Sequence, residues 1–254
     1  MGGSRAWSRG PGEGIPGIIL AAGKGTRMKA AEPKATAQVG GKPMAARVVE
    51  AMRTAGITRI IVVVGHRGEE VRAALGEGVS YVVQEEQLGT GHATMQAQST
   101  LAGYQGPVVV AHGDIPLLCG EDLARLVEHH LEAGAAATLL TAVFDEPKLL
   151  GRILRGEDGR IQGIVEARDA TPEQLAMKEI NVAVYCFQAP LLFEMLAEVG
   201  NDNAQGQYYL TDTIGLLVRR REPVHAVVME QAHHGLGVDT QDDLARARGL
   251  SCGV

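Results

Sequence analysis

Two short apolar runs near the start of the chain, Ile18 to Ala22 and Ile60 to Val64, lack the in-out alternation of a strand with one wet face. Runs of that kind are expected of strands covered on both sides, as in a parallel sheet. Between them Pro43 opens and Gly56 closes a segment in which Met44, Val48 and Met52 recur four apart, on one face of a helix. The unit reads strand, helix, strand. It continues with a helix over Glu69 to Leu75, a strand over Val79 to Val83 and a helix over His92 to Leu101, then a strand over Val108 to Ala111, a helix over Glu121 to Ala133 and a strand over Ala136 to Val143. Alternation of this kind predicts an α/β fold built on a doubly wound, mostly parallel sheet.

The rhythm changes after residue 150. Arg152 to Arg155 and Arg160 to Glu166 flank Gly156-Glu-Asp-Gly159, a turn-rich insert that predicts a hairpin. Further strands are expected over Val182 to Phe187 and Val224 to Met229, separated by helices over Pro190 to Val199 and Tyr209 to Arg221. Thr240-Gln-Asp-Asp243 has the form of a capping box that starts a last helix. These segments predict one compact unit over residues 15–250: a first part over about 15–145, a smaller lobe over about 146–235 and a closing helix over about 240–249.

Composition narrows the class. The 254 residues suffice for a sizeable core, and 45% hydrophobic with 21% charged residues is an ordinary globular balance. The longest apolar stretch, Ala135 to Val143, is too short to span a bilayer. Residues 1–14 are glycine-rich with two arginines and no apolar core, which predicts a disordered leader rather than a secretion signal. A net charge of -6 argues against general nucleic-acid binding. The cysteines, Cys119, Cys186 and Cys252, suit neither a disulfide framework nor a zinc site, so a reducing cytoplasm is the simplest home.

The sharpest chemical feature is Leu20-Ala-Ala-Gly-Lys-Gly-Thr-Arg-Met28, at the end of the first strand, with Lys34 six residues beyond. Glycines there free backbone amides to face phosphates, and Arg27 and Lys34 add fixed positive charge where a triphosphate would lie. A tight strand-to-helix turn with solvated cations explains the same residues equally well. The spacing matches neither the Walker loop nor the dinucleotide fingerprint. Asp114 follows an apolar strand and Gly113, which places its carboxylate at the carboxyl end of the sheet, where open α/β sheets bind ligands.

Residues 20 to 34, LAAGKGTRMKAAEPK, resemble the opening signature of sugar-nucleotide pyrophosphorylases. Three later stretches, Gln84-Glu-Glu-Gln-Leu-Gly-Thr-Gly-His92, His112-Gly-Asp-Ile-Pro116 and Asn203-Ala-Gln-Gly-Gln-Tyr-Tyr-Leu-Thr-Asp212, narrow the resemblance to bacterial N-acetylglucosamine-1-phosphate uridylyltransferases. It extends over about residues 15 to 248. The family implies a Rossmann-like fold of the nucleotide-diphospho-sugar transferase type, with UTP and a sugar 1-phosphate as substrates and Mg2+ as cofactor. It also implies direct attack on the α-phosphorus with loss of pyrophosphate.

Carried over residue by residue, Arg27 and Lys34 would be catalytic. The nucleotide would be bound by Leu20, Ala21, Ala22, Gly23, Gly25, Gln84, Gly89 and Thr90. Gly151, Glu166, Asn181 and Thr211 would hold the sugar, with Tyr208 and Tyr209 as further candidates. Asp114 and Asp239 would hold the metal. Asp239 departs from the asparagine common in the family but keeps an oxygen donor, which magnesium accepts. Leu150 and His112 stand where tyrosine is frequent, which loosens the link to one particular sugar.

Other features carry no chemistry in this reading. The adjacent pairs His129-His130 and His233-His234 would point their rings apart, Arg219 to Arg221 complements a helix end, and Cys119 reads as packing. The family's hexapeptide-repeat acetyltransferase domain is not recognisable in these residues, so no acetyltransferase activity and no trimer built through that domain are expected. The sequence does not indicate an oligomeric state.

Overall fold

The computed structural model describes residues 14–28 and 32–250. The expected leader, apart from Gly14, lies outside them. In chain order the elements are β1 (Gly17–Ala21), β2 (Gln38–Val39), β3 (Lys42–Pro43), α1 (Met44–Thr54), β4 (Ile60–Val64), α2 (Gly68–Leu75), β5 (Ser80–Val83), α3 (Thr90–Met95), β6 (Pro107–His112), α4 (Gly120–Glu132) and β7 (Ala137–Val143). The hairpin β8 (Arg152–Arg155) and β9 (Ile161–Val165) comes next, then α5 (Pro172–Leu175), β10 (Glu179–Gln188), α6 (Ala189–Leu196), α7 (Asp212–Arg219), β11 (Val224–Val228) and α8 (Gln241–Arg248).

One sheet runs in the order β11-β7-β10-β6-β1-β4-β5, with the β8–β9 hairpin attached through β10, while β2 and β3 pair separately. The pairs β1–β4, β1–β6, β4–β5 and β7–β11 are parallel. Only β10 runs against its neighbours on that path, β6 and β7. The apolar runs are buried as their lack of alternation predicts. Ile19, Val62 and Val109 face α1, α2 and α4 through Val48, Met52, Val71 and Leu126. Ile18, Ile61 and Val110 face α3, α6 and α7 through Ala93, Leu192, Ile214 and Leu217.

Several expected elements are shorter than their pattern. The helix expected over His92 to Leu101 stops at Met95, and a separate 3-10 turn covers Ser99–Leu101. Thr94 Oγ1 donates to the Thr90 carbonyl at 2.8 Å and Gln96 Nε2 to the His92 carbonyl at 2.9 Å, so side chains compete for the helix's acceptors. Tyr209 to Thr211, expected inside a helix, form the turn before α7 and line the cleft described next. The capping box is present: Thr240 Oγ1 accepts from the Asp243 amide at 3.1 Å, and the Asp243 carboxylate accepts from the Thr240 amide at 3.0 Å.

Candidate active site

The carboxyl ends of β1 and β6, the turn after β5, the start of β10 and the segments before α7 and α8 enclose a cleft of about 620 Å3. Every candidate residue except Tyr208 lines it. Leu20 to Gly23, Gly25, Arg27 and Lys34 form one wall, Gln84, Gly89 and Thr90 a second, Gly151, Glu166, Asn181 and Thr211 a third, and Asp114 and Asp239 the floor between them.

The floor is an ion cluster. Lys34 Nζ donates to Asp114 Oδ2 at 2.5 Å and to Asp239 Oδ1, and the Arg27 guanidinium stands 3.0 Å from the same Asp239 oxygen. Gly25, at φ +60, makes this approach possible: a Cβ there would sit 2.6 Å from Lys34 Cβ. The two carboxylates arrive from widely separated parts of the chain. Asp114 follows β6, its carbonyl accepting from the Val238 amide at 2.9 Å, so the segment before α8 is stitched to the β6 loop. Asp239 adjoins a helix start, but Asp243 and Thr240 do the capping, and the Asp239 carboxylate turns to the cluster instead.

Burial alone would raise the Asp114 carboxyl, yet the adjacent Lys34 charge and hydrogen bond, with His112, hold it below the usual carboxylate range. Burial would likewise lower Lys34, but both aspartates outweigh it and raise the ammonium. His112 is pushed down by burial and by Lys34, against the pull of Asp114 and Asp239. Two carboxylates converging on one cation supply hard oxygen donors of the kind a divalent metal takes, with its other positions left for water or phosphate.

The walls are joined to each other. The Gly91 amide donates to the Tyr208 carbonyl at 2.8 Å, Tyr208 donates to Leu88 at 2.9 Å, and the Leu210 amide donates to Thr90 Oγ1 at 2.9 Å. Thr90 therefore ties the loop after β5 to the loop before α7. On the third wall Thr211 donates its hydroxyl to Glu166 Oε1 at 3.1 Å. Burial raises the Glu166 carboxyl; the Thr211 bond opposes this while Asp212 and Asp169 reinforce it. Asn181 Nδ2 donates to Tyr185 Oη at 2.7 Å and its Oδ1 accepts from the Ala183 amide at 3.1 Å, within a bulge that puts Ala183 at φ +59.

Tyr185, Gln205 and Leu149 also line the cleft and were not singled out from sequence. Tyr185 sits in an apolar strand where nothing local marks it, whereas Gln205 lies inside a motif already quoted. Tyr209 lines the cleft and accepts from Gln205 Nε2 at 2.7 Å, while Tyr208 contributes backbone contacts.

Two expectations outside the cleft need correction. The His233 and His234 rings do not diverge, because the pair lies in a 3-10 turn (Ala232–Gly235) that stacks them edge to face at 4.7 Å. Cys119 is disulfide-bonded rather than merely packed, with His234 Nε2 3.7 Å away.

Comparisons with known proteins show the family and the fold. Residues 17–204 match the MobA-like NTP transferase domain. The chain belongs to that family. Among curated relatives, a protein of Exiguobacterium sibiricum named bifunctional protein GlmU is 46% identical over 91% of this chain and 51% of its own. The protein of the same name from Halalkalibacterium halodurans is 45% identical, over 91% and 50%. The chain thus spans about half the length of the curated relatives it matches. A solved Bacillus anthracis structure with sucrose bound, provisionally named a glucose-1-phosphate thymidylyltransferase, superposes with a TM-score of 0.77 at 22% identity, covering 95% of this chain and 96% of that one. That likeness shows the fold.

Proposed function

We propose that the chain joins UTP to N-acetylglucosamine 1-phosphate, giving UDP-N-acetylglucosamine and pyrophosphate, with Mg2+ held by Asp114 and Asp239. The observation that carries this reading is the cluster of Lys34, Asp114, Asp239 and Arg27 between a glycine-rich wall suited to a nucleotide and a wall of polar groups suited to a sugar. Residues 15–145 would hold the nucleotide and 146–235 the sugar, with the helix over 240–249 closing the unit.

The sugar-phosphate oxygen is already anionic, so no general base is needed. The main barrier is bringing two anions together and stabilising the charge that builds on the phosphates. When bound, the metal supplies charge neutralisation at the phosphate oxygens. Arg27 and Lys34 add fixed positive charge on the same side, backbone amides of Ala21 to Gly23 meet the nucleotide, and Glu166, Asn181 and Thr211 orient the sugar. The proposed substrates are cytoplasmic metabolites, which places the proposed activity in the cytoplasm. The Cys119 disulfide points the other way, since a reducing compartment would keep it open. Among the described residues no helix is long and apolar enough to cross a membrane.

The test is pyrophosphate release with magnesium, N-acetylglucosamine 1-phosphate and each of UTP, dTTP, CTP, GTP and ATP, with Asp114→Ala as the blank. Release with UTP, lost in the blank and on chelation, supports the reading. Release only with another sugar phosphate would move the assignment within the family, and UTP binding without turnover would indicate a nucleotide-sensing subunit instead.

A further inference from the structure

The corner of the cleft around Gln84 poses a hydrogen-bonding problem whose solution gives His92 a role. Gln84 is 3% exposed, directly after β5. Its Nε2 lies 3.0 Å from the Gly89 carbonyl oxygen and 3.0 Å from Nδ1 of His92 on α3. A carbonyl can only accept, so the Gly89 contact fixes which end of the amide is the NH2. Both N–H groups are then committed, one to Gly89 and one to His92. Among the described residues no donor bonds Gln84 Oε1, and Gln84 lines the cleft. The acceptor end of this amide is the one left for a ligand.

That arrangement constrains the imidazole. A neutral ring has one N–H and one lone pair, so accepting at Nδ1 requires the proton on Nε2. Nε2 faces the Gln96 amide nitrogen at 3.2 Å, and the same nitrogen also reaches the His92 carbonyl at 2.9 Å. Both amides cannot donate to one neutral ring. Gln84 is buried with its other N–H held by Gly89, whereas Gln96 is half-buried, can keep its N–H on the His92 carbonyl and makes the longer of the two ring contacts, so it is the amide that yields.

We propose that His92 is a positioning residue for pyrimidine selection. By accepting from Gln84 Nε2, it and the Gly89 carbonyl hold Gln84 Oε1 toward the base as a fixed acceptor. An acceptor there matches the N3–H shared by uracil and thymine and opposes the N3 lone pair of cytosine. Without His92, one N–H of a buried amide loses its partner and the Gly89 carbonyl alone opposes the reversed orientation, so the preference for an N3–H base weakens. This inference rests on Gln84 reading the base, as proposed above.

The experiment compares kcat/KM for UTP and CTP in wild-type chain, His92→Leu, His92→Asn and Gln84→Ala. The expected result for His92→Leu is a fall of about tenfold or more in the UTP:CTP ratio, seen mainly as a higher KM for UTP with kcat little changed. His92→Asn, whose side-chain oxygen can stand near the place of Nδ1, should restore most of the ratio. An unchanged ratio in His92→Leu, or an equal loss for both nucleotides, overturns the inference and leaves His92 a packing residue. If Leu unfolds α3, His92→Met repeats the test with a more adaptable side chain, and an unchanged ratio there overturns it equally. Gln84→Ala keeping the wild-type ratio would instead bring down the base-reading role of Gln84. Should no triphosphate turn over, the same ratio is read from equilibrium binding of UTP and CTP, so failure of the catalytic reading stays distinguishable.

Discussion

Lys34 carries the charge balance of the cleft floor, because its ammonium stands between two carboxylates that would otherwise repel each other in a half-buried space. Lys34→Ala removes that cation and, in the proposed reaction, a contact for developing phosphate charge. We expect kcat for pyrophosphate release to fall on the order of a hundredfold; a rate near wild type would remove Lys34 from the machinery. Lys34→Arg should recover only part of the rate, since a planar fork cannot replace a compact charge shared by two carboxylates. On the wall proposed to hold the sugar, Glu166→Gln keeps a carbonyl for the Thr211 hydroxyl but withdraws the charge. The KM for the sugar phosphate should then rise severalfold while that for UTP holds, and a rise in the UTP value alone would reassign Glu166. Lys34 and Asp114 were both visible as candidates because each lies in a compact local motif. Their bond to each other was not, since the partners of Lys34 lie 80 and 205 residues away.

The loop from Gln84 to Gly91 shows what an element adds to its residues. Gly89, at φ +119, lies against the Tyr208 backbone, and a Cβ there would come within 2.5 Å of the Tyr208 carbonyl oxygen. Gly89→Ala should destabilise the fold by about 1–3 kcal/mol and raise the KM for both substrates, because the strained loop joins both walls. A KM change confined to UTP would show that the walls act separately. The family resemblance implied a nucleotide-binding role for Gly89; its contact with Tyr208 depends on a loop far along the chain. Similarly, buried His130 on α4 was set aside, yet it bridges Thr138 of β7 at 3.1 Å and Gln188 of β10 at 3.2 Å. Burial, with His225 and His129 nearby, lowers its pKa from 6.5 to about 4. The unfolded chain therefore takes up a proton that the folded chain refuses. Stability from this group is intact above pH 6.5, declines as the pH falls through that window and is fully lost below about 4. The total is on the order of 3 kcal/mol. His130→Gln should flatten that part of the stability curve in urea unfolding from pH 7 to 4, and an unaltered slope would locate the acid sensitivity elsewhere.

At the scale of the molecule, the parallel half was legible because doubly covered strands read as unbroken apolar runs and local glycine motifs marked their ends. The antiparallel insertion of β10 between β6 and β7 was not, since an apolar strand carries no sign of its direction or neighbours. The closing helix was visible through its cap, but not its hold on the site. Leu244 and Ala247 of α8 pack against Met28, Met44 and Leu117, while Gln241 Nε2 donates to the Met28 carbonyl at 2.8 Å. Asp243 also accepts from the Asp239 amide at 3.3 Å, so α8 holds one side of the segment that carries the second carboxylate, while the Asp114 carbonyl holds the other through the Val238 amide. Leu244→Ala should cost roughly 2–5 kcal/mol if the gap stays open. It acts on the part of the core that anchors Asp239 and the Arg27 turn, so metal use should suffer before the sheet unfolds. The expected result is a higher magnesium concentration for half-maximal pyrophosphate release, at temperatures where circular dichroism still shows a folded chain. Asp243→Ala, which frees the Asp239 amide and removes the carboxylate half of the capping box, should shift the magnesium curve the same way with a smaller stability loss of about 1 kcal/mol. If both variants lose stability and neither moves the magnesium requirement, Asp239 is either placed independently of α8 or is not a metal ligand, and Asp239→Ala in the same titration separates the two.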